Sequence, residues 1–148
     1  MVINATPGAA SLEVVEGIGA AAFAGKILVD VANASTPSFE LVYPNSSLGE
    51  KLQAALLDAK VVKTMNTAAM AVMTEPAALP PSSIFVSGDD AAAKATVASL
   101  LAGFGWPDDS IVDLGGIVSA RGTEHYFFLF AALAQSVGSA EFNIRLVK

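Results

Sequence analysis

The 148 residues carry 53% hydrophobic and only 15% charged side chains, with a formal net charge of −6. That composition argues against disorder, and no Lys/Arg cluster interrupts an acidic balance that repels phosphate backbones, so nucleic acid is a poor partner. No run approaches the roughly 18–20 uncharged apolar residues of a membrane span, and cysteine is absent, which excludes thiol chemistry and fits a reducing cytoplasm.

In chain order, apolar runs alternate with helical patterns. Val2–Ala5 reads as a strand ended by the turn residues Thr6-Pro7-Gly8. Ser11 is expected to cap a helix whose inward positions are Leu12, Val15, Gly19 and Phe23, with Gly25 as its end. Lys26–Val31 is a second strand, apolar without polar alternation, as in a sheet covered on both faces. After a loop from Asn33 to Asn45, Ser47-Leu-Gly-Glu50 forms a capping box for the next helix.

Val61–Thr64 is the third strand, followed by a helical turn around Ala68–Met73 and a loop closed by Pro80-Pro81. Ile84–Val86 is the fourth, and Asp89 or Asp90 caps the helix that runs to Gly103. Ser110–Leu114 is the fifth. Gly115-Gly116 opens a helix to about Val137, and alternation of Phe142, Ile144 and Leu146 with Asn143 and Arg145 predicts a closing strand. Strands separated by helices of this length predict one α/β domain over residues 1–148, a Rossmann-like and mostly parallel sheet with helices on both faces and antiparallel strand near the C-terminus.

In such sheets ligands lie beyond the carboxyl ends of the strands. Three ends share small, amide or hydroxyl residues: Asn4–Gly8, Asp30–Asn33 and Lys63–Thr67. Taken singly, each also reads as ordinary turn chemistry. Together, Val2-Ile-Asn-Ala-Thr-Pro-Gly8, Lys63-Thr-Met-Asn-Thr67, Val86-Ser-Gly-Asp-Asp90, Leu114-Gly-Gly116 and Ala120-Arg121 with Glu124 resemble the NADP oxidoreductases that use the deazaflavin coenzyme F420. The order and spacing of these motifs span nearly the whole chain.

The resemblance implies hydride transfer between the nicotinamide of NADP(H) and a deazaflavin-type acceptor, with no acid–base residue or metal essential. It places Thr6 and Pro7 beside the nicotinamide ribose, Asn33, Asn66 and Thr67 near the nicotinamide end, and Arg121 toward the second substrate. Met65 stands where the family more often has a bulky apolar residue, and Ala68 and Ala69 are small for their positions.

The family's fold opens with a G-x-G-x-x-G turn that brings backbone amides to the pyrophosphate. Gly17-Ile-Gly19-Ala-Ala-Ala22 imitates it but opens too short a helix, and small residues on a packed helix face explain it better. The resemblance therefore implies that two βα units, on the order of 60 residues, would precede Met1. Val2–Ala5 would then offer an open edge, and a homodimer covering it is expected. The alternative function is a non-catalytic oligomerisation or partner-binding module of the same lineage. Arg121, Glu124 and His125 share one side of a helix and read as a solvated charge group, while Tyr126, Phe127, Phe128 and Phe130 read as core, with an interface as the rival.

Overall fold

Apolar runs such as Ile27-Leu-Val must be covered on both faces, and the protein builds the sheet that does so. The computed structural model describes residues 1–147. Its order is β1 (Val2–Asn4), α1 (Gly8–Ile18), β2 (Ile27–Asp30), α2 (Leu48–Ala55), β3 (Lys60–Thr64), α3 (Met70–Thr74), β4 (Ile84–Ser87), α4 (Ala91–Gly103), β5 (Ile111–Asp113) and α5 (Ala120–Val137). The five strands lie in sequence order. β1, β2 and β3 are parallel, β4 runs antiparallel to β3, and β5 is parallel to β4. The antiparallel strands of the C-terminal half are thus β4 and β5.

Alternate residues of each strand feed two cores, as a period of two requires. Leu28 and Val61 pack with Val15 of α1, Leu48 and Leu52 of α2, and Ala120 at the start of α5. Val29 and Val62 pack on the other face with Val72 of α3, Ile84 and Val86 of β4, and Val97 and Leu101 of α4. Because α1 and α2 both cover the first face, the chain walks from β1 to β3 in one direction. Its three parallel carboxyl ends therefore stand side by side, and β1 pairs only with β2 among the described residues.

Several sequence expectations change. The first helix begins at Gly8 with Pro7 as its N-cap, a turn earlier than Ser11. Ser11 is buried inside it and shares a 2.7 Å hydrogen bond with the Thr6 hydroxyl, so its side chain ties the helix to the strand end instead of capping it. The helix stops at Gly19, whose φ of 92° is left-handed and favours glycine, and a short 3-10 turn at Ala20–Phe23 follows. Gly17 is exposed with nothing near its Cβ position, so the Gly17/Gly19 pair marks a helix end and not a packed face.

The closing strand is also absent. Residues 141–147 form no strand, and instead strap across the start of β4 by hydrogen bonds from Ser83 N–H to the Ile144 carbonyl (2.8 Å) and from Asn143 Nδ2 to the Ser82 hydroxyl (3.0 Å). Side chains of Ser82 and Ser83 take the bonds that a ladder would have used. Past Glu124, α5 has no buried residue. Its aromatic side chains cluster with two outside the helix, Phe39 on Phe127 at 5.7 Å and Phe142 on Phe130 at 4.9 Å between ring centroids, so the expected core is a half-covered aromatic surface.

One contact fixes α1 against the carboxyl end of β2. A Cβ at Gly8 would lie 2.1 Å from the Asn33 carbonyl oxygen, far inside any van der Waals distance. Gly8→Ala is expected to lower unfolding free energy by about 1–3 kcal/mol or more, as forced overpacking does. The control Gly17→Ala, in open space on the same helix, should raise it by about 0.4–1 kcal/mol. Urea denaturation of the two variants checks both signs.

Candidate functional site

Register alone brings polar side chains together at the carboxyl ends. Asn4 pairs with Asp30 and Asp30 with Lys63 across three parallel strands, so all three side chains stand in one row on the face covered by α1 and α2. That row sits in an apolar sheet, where an unpaired charge is prohibitively costly. Each group is accordingly paired. Lys63 Nζ lies 2.8 Å from Asp30 Oδ2 and 2.9 Å from Glu124 Oε1 of α5, with Asp30 and Lys63 side chains fully buried and Glu124 nearly so. Its third donor goes to the Ala32 carbonyl.

Two carboxylates face one ammonium, and backbone and amide donors make up the difference. Asp30 Oδ1 accepts from Asn4 Nδ2 (2.9 Å) and the Ala32 N–H (3.2 Å). Glu124 accepts from the N–H groups of Leu48 (2.8 Å) and Gly49 (3.2 Å) at the start of α2, where the helix dipole favours a negative group. The network therefore clamps β1, β2, β3, α2 and α5 at one point. A lysine inside Val-Val-Lys-Thr and an aspartate ending Ile-Leu-Val-Asp were the available sequence signals, since buried charges must be paired. Glu124, expected among solvated charges, is buried because its partners lie on other elements, while Arg121 and His125 are exposed.

Above this floor the predicted residues are arranged in two groups. The Thr6 hydroxyl donates to Asn4 Oδ1 at 2.7 Å and meets Ser11 at 2.7 Å, so it is oriented by the same network. Pro7, exposed, begins α1 beside it. Asn33 and Asn66 bond reciprocally: Asn33 Nδ2 donates to the Asn66 carbonyl (2.7 Å), and Asn66 Nδ2 donates to Asn33 Oδ1 (2.9 Å). This bridge joins the turns that follow β2 and β3. Met65 makes the second turn possible with a left-handed φ of 63°, a conformation that costs a non-glycine residue about 1–2 kcal/mol.

Thr67 stands apart from that pair. Its hydroxyl is buried and has no hydrogen-bond partner. Arg121 is taken up by Glu50, with Nη2 and Nε at 2.6 and 2.8 Å from the two carboxylate oxygens. Ser47 caps α2 as expected, accepting from the Glu50 N–H at 3.1 Å, and its hydroxyl donates to the Glu50 carboxylate at 2.9 Å. The Arg121 hydrogen bond, helped by Ser47 and Ser46 and opposed by burial, pulls the Glu50 carboxyl down to about 2.

Chemically, Thr6, Asn33 and Asn66 are neutral hydrogen-bonding groups, and the titratable groups beneath them are sealed. The first turn of α1 adds backbone N–H groups, which helix geometry leaves without intrahelical partners. This donor and acceptor set suits a ribose and an uncharged ring edge better than proton transfer, and so fits the nicotinamide half of a dinucleotide. Nothing in it offers an activated nucleophile.

Comparison with known proteins gives two informative matches. The crystal structure of a provisionally named F420-dependent NADP-reductase from Arthrobacter sp. FB24 is 42% identical, with a TM-score of 0.95, over 100% of this chain and 70% of that one. A hypothetical protein from Sinorhizobium meliloti is 30% identical, with a TM-score of 0.63, over 80% of this chain and 58% of its own. No family model and no curated protein matches. Among the described residues, no helix is long and apolar enough to cross a membrane.

Two outcomes test the electrostatics. Lys63→Met leaves two buried carboxylates without their cation and should cost about 3–5 kcal/mol, measured by chemical denaturation. The Glu50 carboxyl is held below its ordinary value in the folded state, so its contribution is complete above about pH 4.5 and is lost as pH falls toward about 2. Glu50→Gln should therefore show a shallower loss of thermal stability over that window than the parent, with the two profiles parallel above it.

Proposed function

The chain belongs to the family of F420-dependent NADP reductases, and from that premise we propose that it binds NADP(H) across the carboxyl ends of β1–β3 and serves hydride transfer to or from a deazaflavin. The observation that carries this reading is the reciprocal Asn33–Asn66 bridge, which holds amide groups from two strand ends in one place over a buried ionic floor. When bound, the dinucleotide supplies the hydride, and the protein's part is to orient and shield.

In this reading Thr6 and Pro7 hold the nicotinamide ribose, while Asn33 and Asn66 orient the nicotinamide end. Thr67 belongs with them near the nicotinamide end, and Arg121 faces the second substrate with its charge held by Glu50. A chain this short on activated groups is suited to direct transfer between two rings, in which proximity supplies most of the acceleration.

The second reading is a non-catalytic oligomerisation or partner-binding module of the same lineage. Either reading allows a homodimer in which a second chain covers the free side of β1, where Ile3 is exposed. Light scattering that shows a dimer, weakened by Ile3→Lys, supports this pairing, and a monomer at high concentration counts against it.

Stopped-flow or steady-state assay of the chain with NADPH and oxidised deazaflavin tests the main proposal. Loss of nicotinamide absorbance together with the deazaflavin band is expected, and Asn66→Leu should lower kcat/KM by roughly tenfold, the worth of a hydrogen bond or two. A folded chain that neither binds NADPH at millimolar concentration nor turns over would leave the module reading.

A further inference from the structure

Asp30, Lys63 and Glu124 are the only charged side chains buried among the described residues, and their contacts fix their charge states. Asp30 accepts from the Asn4 amide and the Ala32 N–H on one oxygen and from Lys63 on the other. Glu124 accepts from the Leu48 N–H on one oxygen and from the Gly49 N–H on the other, which Lys63 also faces. Every carboxylate oxygen thus meets N–H donors alone, the pattern of an ionised group. Lys63 in turn faces three acceptors, Asp30, Glu124 and the Ala32 carbonyl, which takes the three donors of an ammonium. Two negative charges and one positive leave the cluster with a net charge of −1.

That excess is not required to pin the strands, since Lys63 and Asp30 alone would make a neutral pair. The amides and the start of α2 are dipoles, which ease its burial without cancelling it. It lies directly under the candidate site. Asp30 is two hydrogen bonds from the Thr6 hydroxyl, through Asn4, and it holds the N–H of Ala32, the residue before Asn33. The Asp30 and Lys63 side chains are fully buried, so dissolved salt screens them little. A ring resting above this cluster feels the charge through protein, where Coulomb attraction is stronger than in water.

The nicotinamide ring is neutral in NADPH and carries a formal positive charge in NADP+. We propose that the Asp30–Lys63–Glu124 cluster sets the redox-state preference of the site, tightening its hold on NADP+ and leaving NADPH almost untouched. The inference rests on the reading that the nicotinamide end lies over the carboxyl ends of β1–β3. Loss of a hydride turns the neutral ring into the cation, so the cluster also favours the bound dinucleotide as hydride donor.

Separate equilibrium titrations of the full chain with NADP+ and with NADPH test this, beside Asp30→Asn and Glu124→Gln, each of which brings the cluster to neutrality. NADP+ should bind each variant about three- to tenfold more weakly than the parent, with NADPH affinity changed less than about twofold. The effect should persist between about 0.05 and 0.5 M salt, unlike that of a surface charge. Circular dichroism checks folding, and Glu124→Gln, which keeps the Asp30–Lys63 pair, carries the test if Asp30→Asn does not fold. A cluster that acts on structure alone would weaken both forms together. Equal weakening, or an unchanged ratio of the two affinities, would overturn the inference and leave the dinucleotide reading standing. Binding of neither form to the folded parent would overturn both.

Discussion

A lysine with no access to water holds this fold together at the place where its function is read. Lys63 contacts Asp30, Glu124 and the Ala32 carbonyl, and through these partners it reaches three strands, the start of α2 and the turn that presents Asn33. Buried ion groups of this kind add little net stability compared with apolar residues of similar size, but they tolerate few alternative arrangements. What the network gives the protein is therefore definition. If β2 and β3 slipped by one residue, Lys63 would face the opposite core with no carboxylate to meet it.

The same geometry explains why the candidate site can be made of such unreactive residues. Thr6 is oriented by Asn4, Asn4 by Asp30, and Asp30 by Lys63. Asn33 and Asn66 orient each other across the adjoining turns, and Gly8 lets α1 approach the Asn33 backbone where any side chain would collide. Groups held this way need not be acids or bases to be useful. In the proposed reading they present fixed dipoles to a bound ring, while the hydride donor and acceptor are held in register.

Much of this was legible in the residues. Short apolar runs marked all five strands, Ser47 and Glu50 marked the start of α2, and the small polar residues after β1, β2 and β3 marked the end of the sheet to watch. The parts that could not be read share a physical cause, dependence on partners distant in sequence. Glu124 looks like a surface charge until α2 is seen to place Leu48 and Gly49 amides on it. Phe142–Leu146 alternates like a strand, but hydrogen bonds to Ser82 and Ser83 hold it as a strap. Tyr126–Phe130 looks like core, yet no residue of α5 past Glu124 is fully buried.

The claim on which the account rests is that the carboxyl ends of β1–β3 are where NADP(H) binds. Amide chemical-shift mapping of the labelled chain during an NADPH titration tests it most directly. The account predicts saturable shifts at Thr6, Gly8, Asn33 and Asn66 and their immediate neighbours, with the amides of α4 unmoved. Shifts confined to other surfaces, or none at millimolar NADPH in a folded protein, would contradict it.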